Sequence, residues 1–438
     1  MFTAKDLRKL ILPLIVEQFL AVTIGMADTI MVASTGEAAM SSVSLVDAIN
    51  ILLINIFSAL ATGGAIVASQ YLGREDNKRA NVAAKQLLLV TTAMSAFIMA
   101  VCLIGRNPIL DLIFGKIEPE VMDNCRVYFF WSALSYPFLA VYNAGAALYR
   151  SMGNSKVSML TSTLMNAINI AGNALLIFGF HMGVAGAAIA TDISQLVSCV
   201  LSLRFLMKVD ADYKVELSAI RPDQRMTSRI IRIGLPTGIQ NMVISFSNVL
   251  VQSSVNSYGA AAIAGFAAYM KIDGFNILPV TSFSMAATTF VGQNYGAGNL
   301  KRVKNGMWVT LGMSVLYTLC TGALLLAFQN PIMHLFTSDE TVVAFGCSAM
   351  HYFCPFYFLL ATLHGMAGAV RGTGRSVPPM VVLLISLCLF RVVWIQFVLP
   401  FFAGIEGVFV LYPVSWALGA VLMALYAWKG SWMTYEHS

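Results

Sequence analysis

Four polar side chains of the kinds that bind hard cations lie within apolar stretches of this chain: Asp28, Asn169, Asn173 and Thr191. Charged groups in such stretches are costly and usually face a cavity or a partner. Asn169 and Asn173 are four residues apart, so they share one face of a helix. One carboxylate with neutral oxygens around it suits a small cation, or a proton held by the acid. Two simpler interpretations stay open: Asp28 at the outer membrane interface, and asparagines that only join helices by hydrogen bonds.

Glu17 precedes Asp28 by eleven residues and therefore lies on nearly the same helical face. It is nearer the predicted cytoplasmic end, where a place in a substrate cavity and a purely structural role are equally open. Asp28 is the only acid that we expect deep in the outer part of the first half of the chain.

A second set of polar residues follows one face of a later apolar stretch, at spacings of four, three and four: Asn241, Ser245, Asn248 and Gln252. A continuous polar stripe favours a water-lined surface, and a helix-packing seam is the alternative. No acid occurs in it, so we expect no ion site there.

Three charged residues lie deep in the second half of the chain: Lys271, Asp273 and Arg391. Lys271 and Asp273 are two residues apart and cannot share a helical face, so each needs its own partner or a cavity. An ion pair between Arg391 and Asp273 and contact with a substrate are both open.

The seven cysteines include no CxxC pair, the five histidines include no HExxH, and no catalytic cluster stands out. We therefore expect no cofactor, no structural metal and no enzymatic activity. Scattered basic residues in short loops do not predict nucleic-acid binding.

The elements that must position these residues are membrane helices. Hydrophobic residues make up 58% of the 438 and charged residues only 11%, whereas a soluble domain has about 25% charged residues. Stretches of about 20 apolar residues can span a bilayer. We count twelve, near 10–32, 44–69, 82–104, 127–148, 157–180, 184–206, 233–256, 262–291, 306–328, 345–370, 378–400 and 405–428.

The first half of the chain repeats in the second. Leu12-Pro13 returns as Leu235-Pro236 at an offset of 223, and Arg150 returns as Arg371 at an offset of 221. Six spans per half give both halves the same direction across the membrane, which is a parallel repeat. The domain prediction is an N-terminal six-helix lobe at 1–206, a cytoplasmic linker at 207–229 and a C-terminal six-helix lobe at 230–438.

Basic residues set the orientation. With the N-terminus inside, 22 of the 27 lysines and arginines fall on the cytoplasmic side and three on the outside. This asymmetry predicts a multi-pass cell-membrane protein with both termini in the cytoplasm. We expect a short interfacial helix in the outer segment 105–125.

The segments MADTIMVASTGEAAMSSVSLVDAIN, NAINIAGNALLIFGFHMGVAGAAIAT, GLPTGIQNMV and FVGQNYGAGNLKRV resemble the multidrug and toxic compound extrusion (MATE) transporters. The resemblance covers essentially the whole chain. It implies an all-α integral membrane protein with twelve transmembrane helices in two six-helix lobes that form a V-shaped bundle. It also implies that the coupling carboxylate falls on Asp28 and its partners on Asn169, Asn173 and Thr191. Asn173 fits a NorM-like pattern, whereas Lys271 and Asp273 fit the DinF-like side.

The predicted function is a secondary antiporter that exports small, cationic amphipathic compounds by alternating access and is driven by sodium or proton influx. The predicted partners are a drug-like molecule, the coupling ion and the bilayer, and we expect a monomer. A lipid-linked sugar flippase of the same superfamily is the nearest alternative. A membrane enzyme or a channel would be a different class.

Overall fold

The computed structural model describes residues 4–208 and 214–434, and the regular structure there is helical. The first half holds seven helices: α1 (Ala4–Ala33), α2 (Glu37–Gly73), α3 (Asn77–Ile104), α4 (Arg106–Phe114), α5 (Pro119–Ser151), α6 (Ser155–Asn173) and α7 (Gly183–Lys208). The second half holds α8 (Gln224–Val255), α9 (Ala260–Gly296), α10 (Leu300–Ala327), α11 (Gln329–His334), α12 (Glu340–Phe353), α13 (Tyr357–Gly372), α14 (Val377–Leu384), α15 (Phe390–Val393) and α16 (Glu406–Trp428).

These helices form twelve long segments, which confirms the all-α membrane fold. A short 3₁₀ turn joins α12 to α13, and π-helical turns join α14 to α15 and extend α6 to Gly179. Nine of the twelve segments in the described residues are long and apolar enough to cross a membrane. The other three, α5, α8 and α9, carry more polar and tyrosine side chains, so polarity rather than length distinguishes them.

The internal repeat extends to the helix caps. The Asp76 side chain accepts a hydrogen bond from the backbone nitrogen of Arg79 at the start of α3. Asn299 does the same for Arg302 at the start of α10. Both pairs are related by the predicted offset of 223, and each satisfies a backbone donor that the helix itself leaves free.

The outer segment 105–125 differs from the prediction of one interfacial helix. A short helix, α4, ends at Phe114, Gly115 follows with a φ of 62°, and α5 begins at Pro119. A left-handed residue stops a helix, and proline suits the first turn of the next. The repeat places α11 at the matching position in the second half.

The chain divides into two compact units. The first unit is Arg8–Gly238, and the second unit is Ile239–Ser438 together with the start of α1 up to Leu7. The division falls within α8 and not in the predicted linker 207–229. Within the first unit, α2 packs most extensively against α5, and within the second unit α9 packs most extensively against α13.

Much of the predicted linker packs on the first unit; residues 209–213 lie outside the described residues. The Gln86 side chain of α3 donates to the Arg221 carbonyl at 2.5 Å. It also accepts from the Asp223 backbone nitrogen and the Thr227 hydroxyl, both at 3.1 Å. The buried Gln86 amide thus makes three hydrogen bonds to the linker, and Asn81 of the same helix adds one to the Lys214 carbonyl.

Candidate functional site

The four residues predicted as one site form a continuous hydrogen-bonded chain in the first unit. Asn173 of α6 donates to the Asp28 carboxylate of α1. The same amide donates to Asn169 Oδ1 at 3.2 Å, and Asn169 donates to Thr191 Oγ1 of α7 at 3.0 Å. Three helices thus supply the site, and the four-residue spacing on α6 places both asparagines toward it.

The chain of amides leaves one oxygen without a partner. Asn173 is fully buried and its Oδ1 makes no hydrogen bond in the described part of the protein. A buried carbonyl oxygen without a partner is costly. The Asp28 carboxylate and this amide oxygen are both hydrogen-bond acceptors. Oxygen atoms of these two kinds are the ligands that a small hard cation prefers. A protonated Asp28 would serve as well, because its hydroxyl needs an acceptor.

The expectation that Asp28 is the only acid in this region is wrong. Asp47 of α2 lies close enough to act on Asp28 electrostatically, and Tyr128 of α5 lies within electrostatic range of Asp28, Asp47 and Asp192. One Asp192 carboxylate oxygen is buried without a hydrogen bond in the described residues. Three carboxylates therefore share one region, and their combined charge attracts a cation or a proton.

Asp47 has its own hydrogen-bond network. Tyr128 donates its hydroxyl to Asp47 Oδ1 at 3.1 Å, and Asn50 Nδ2 donates to the same oxygen at 3.1 Å. The Tyr136 hydroxyl donates to Asn50 Oδ1 at 2.8 Å. Spacing within one helix could have indicated the Asp47–Asn50 pair, because the two are three residues apart. Tyr128 and Tyr136 come from another helix, and only the fold brings them in.

Glu17 lies in the first unit, next to Arg150. Its Oε1 is 3.6 Å from Arg150 Nη1 of α5, and both side chains are largely buried. Its other oxygen, Oε2, is buried without a hydrogen bond. The sequence comparison of the two halves singled out Arg150 as a repeat marker but did not predict this ion pair.

Arg391, in the second unit, is buried and contacts neutral groups. Its Nη1 donates to Asn248 Oδ1 at 3.2 Å and its Nε to Ser415 Oγ at 3.3 Å. The guanidinium also lies over the Tyr412 ring, 4.6 Å from the centroid. Stacking on an aromatic face stabilises a cation that lacks an anionic partner.

The predicted Arg391–Asp273 ion pair is not among those of the described residues. Asp273 is buried and accepts a hydrogen bond from the Tyr357 hydroxyl, which in turn contacts the hydroxyl of Tyr269. It acts on Arg391 only through longer-range electrostatics. Lys271 is exposed, so the two-residue spacing separates it from Asp273 as predicted.

Within the polar stripe of α8, Ser245 and Gln252 make local hydrogen bonds. Ser245 donates to the Asn241 carbonyl at 3.0 Å. Gln252 donates to Asn256 at 3.1 Å, and Asn248 is exposed apart from its bond to Arg391. Asn248 is thus the member of the stripe that connects to a buried charge.

Comparison with known proteins identifies the family. The family model MatE matches residues 13–175 and 236–395, one copy in each half. The chain therefore belongs to the MatE family of membrane transporters, which confirms the resemblance.

Individual relatives agree on transport and differ in their named cargo. A probable multidrug resistance protein NorM of Thermotoga maritima is 27% identical, over 98% of this chain and 93% of its own length. A FAD transporter of Shewanella oneidensis is 24% identical, over 89% of this chain and 86% of its own. A solved MATE-family multidrug resistance transporter in its outward-facing conformation superposes with a TM-score of 0.90 at 19% identity, covering 99% and 97% of the two chains. That likeness supports the fold.

Proposed function

We propose that this MATE-family transporter is a secondary antiporter, in which entry of sodium or protons through the first half drives export of small, cationic amphipathic molecules. The two halves would alternate between inward and outward access. In this proposal the protein acts as a monomer in the cell membrane with both termini in the cytoplasm.

The observation that supports it most is the hydrogen-bonded chain from Asp28 through Asn173 and Asn169 to Thr191. A carboxylate in a membrane helix is retained at a cost, and here it is joined to neutral donors rather than neutralised by an arginine or lysine. Such a group can take up and release a cation. The four residues lie on three helices, α1, α6 and α7, so occupancy can change how those helices pack.

Coupling requires the ion to distinguish two states of the protein. A ligand bound equally well in both states shifts no equilibrium. The proposal assigns this difference to the Asp28 site: a bound cation or proton would neutralise the Asp28 carboxylate, whereas without it Asn173 Nδ2 donates to the carboxylate and Asn173 Oδ1 stays without a partner. Release of the ion would therefore favour a different arrangement of α1 against α6.

The second half would contribute the substrate contacts. The candidates are Asn241, Ser245, Asn248, Gln252, Lys271, Asp273 and Arg391. Asp273 supplies a negative charge suited to a cationic substrate, whereas Arg391 suits an anionic group. The repeat places Val251, a buried apolar residue, where the first half has Asp28, so the ion site is proposed for the first half alone.

Transport by the purified protein in liposomes tests the proposal. Efflux of a cationic dye is measured with an imposed sodium gradient at equal pH, and then with an imposed pH gradient without sodium. We expect one of the two gradients to accelerate dye movement, and FAD to be a poor competitor. Dye exchange that neither gradient changes would contradict the antiporter.

A further inference from the structure

Helices α1 and α6 lie side by side in register. Near one end Ser155 Oγ donates to the Leu10 carbonyl at 2.8 Å. Near the other end Asn173 donates to Asp28. Both pairs are separated by 145 residues, and 18 residues make five turns, about 27 Å, on each helix. The same faces therefore meet at both ends, with the Ser155 end cytoplasmic in the proposed topology.

The register shows which residues lie between the two contacts. Glu17 of α1 is level with Ser162 of α6, and Asn166 is level with Ala21. Glu17 lies seven residues after Leu10, which is two turns, so it stays on the face that meets α6.

The buried face of α6 is entirely polar. Its buried residues are Ser155, Ser158, Thr161, Ser162, Asn166, Asn169 and Asn173. The apolar side chains of the helix are half-buried or, like Leu160 and Leu164, exposed. A membrane helix whose polar face is turned inward borders either hydrogen-bonding partners or water.

Protein partners account for only part of this face: Ser155 and Asn173 bond to α1, and Asn169 bonds to α7. Asn166 is 5% exposed, yet neither its Oδ1 nor its Nδ2 has a hydrogen bond in the described residues. Ser158 Oγ and Glu17 Oε2 are likewise buried and without partners there. Buried polar groups in proteins are nearly always paired with protein or ordered water. Polar, roomy sites with several such groups hold water.

The second half of the chain is an internal control. At the repeat offset of 221, Ser162 and Asn166 correspond to Leu383 and Leu387 of the α14 segment, and both leucines are buried. At the offset of 223, Glu17 corresponds to Gln240. The same position in the same fold is thus packed with apolar side chains, so folding alone does not require the polar face in the first half.

A charge pair lies along this face, about two turns from Ser155. Glu17 Oε1 lies 3.6 Å from Arg150 Nη1, and Tyr142 lies within electrostatic range of both residues. Arg150 compensates Glu17 when no other cation is present. A cation that reaches Glu17 competes with Arg150 for the same carboxylate, as at a site that must both accept and release an ion.

We propose that the polar face of α6 against α1 is a hydrated path that leads the coupling ion from Asp28 to Glu17, and that the Glu17–Arg150 pair is the gate at its cytoplasmic end. The ionic role rests on the proposed function, whereas the hydration of the path does not. Glu17 then belongs to the ion path rather than to the substrate cavity.

Thiol accessibility tests the path directly. Ser162→Cys, which is nearly isosteric, and Asn166→Cys place thiols within the path, and Leu164→Cys on the exposed face of the same helix is the matched control. A small charged methanethiosulfonate is added to inside-out and right-side-out vesicles, and mass spectrometry locates the modified residue among the native cysteines. We expect positions 162 and 166 to react from the cytoplasmic side at least tenfold faster than position 164.

Equal rates at all three positions would overturn the path, and modification of 162 and 166 only from the outer side would overturn the assigned gate. These results do not depend on transport. A lack of ion-driven efflux by the native protein would contradict the antiporter but not the hydrated path.

Glu17→Gln tests the gate in liposomes. It removes the charge that receives the ion and retains the side-chain size. We expect gradient-driven export to fall about tenfold while substrate counterflow, which needs no net ion passage, is unchanged. Full gradient-driven export by Glu17→Gln would contradict the gate, and an equal loss of counterflow would indicate a structural role for Glu17.

Discussion

Asp28 is joined to amides rather than to a basic residue, and this distinguishes it from the other deep acid of α1. Glu17 pairs with Arg150, whereas Asp28 accepts from Asn173. A carboxylate without a fixed countercharge remains free to bind a mobile one. At the residue scale the two acids therefore have different roles in the proposal. Asp28 holds the ion, whereas Arg150 compensates the charge of Glu17 until an ion displaces it.

Part of this arrangement could be predicted from residue spacing. Asn169 and Asn173 share a face because they are four residues apart, and the structure joins both to the Asp28 and Thr191 side chains. Asp47 and Asp192 were missed because neither has another acid three or four residues away on its own helix. Helical spacing relates residues within a helix and says nothing about which helices are neighbours.

The exposed amide of Asn248 is the place to test substrate contacts. Asn248→Ala removes the acceptor of Arg391 Nη1 and leaves the Asp28 site untouched. We expect export rates to change severalfold and differently for different dyes, with the same dependence on the driving ion. The measurement is dye efflux under each gradient, with Ser245→Ala on the same helix as control. Altered ion dependence in Asn248→Ala would show that the second half takes part in coupling.

At the scale of elements, the twelve helical segments and the repeat were predictable, whereas the helix ends and the packing of the linker were not. Hydrophobic length defines spans because the bilayer core requires it. Gln86 was not singled out, because its partners are a backbone carbonyl, a backbone nitrogen and a threonine hydroxyl more than 130 residues away in the chain. Such partners have no signature in the sequence.

Gln86→Leu should destabilise the first unit. The substitution retains the buried volume but leaves the Arg221 carbonyl and the Asp223 nitrogen without their partner, at a cost of about 1–3 kcal/mol for a buried unpaired polar group. The check is thermal unfolding of the detergent-purified protein, with Thr92→Ala on the exposed side of α3 as control. Equal midpoints for Gln86→Leu and Thr92→Ala would contradict the role of the amide.

At the scale of the molecule, the two halves share a scaffold and differ in charge. The caps at Asp76 and Asn299 match at the repeat offset, yet Val251 and Gln240 stand where the first half has Asp28 and Glu17. Duplicated helices with a site in only one copy allow that copy to bind the ion while the other contacts the substrate.

The basic asymmetry predicts the direction of the whole chain in the membrane. Ser431→Cys and Lys116→Cys place thiols on opposite sides if the 22 basic residues assigned to the inside are cytoplasmic. An impermeant reagent added to intact cells should label position 116 and leave position 431 unlabelled until the membrane is opened. Labelling of position 431 in intact cells would overturn the topology.

Asp28→Asn measures the central claim most directly. The amide retains the size and costs less to bury than an acid, so the variant should fold and insert. In liposomes under the driving gradient, export against a substrate gradient should be lost, while counterflow of the dye continues. Thr191→Ala, which removes one neutral member of the chain, should reduce gradient-driven export only severalfold. Full gradient-driven export by Asp28→Asn would contradict the account and move the coupling site to another acid.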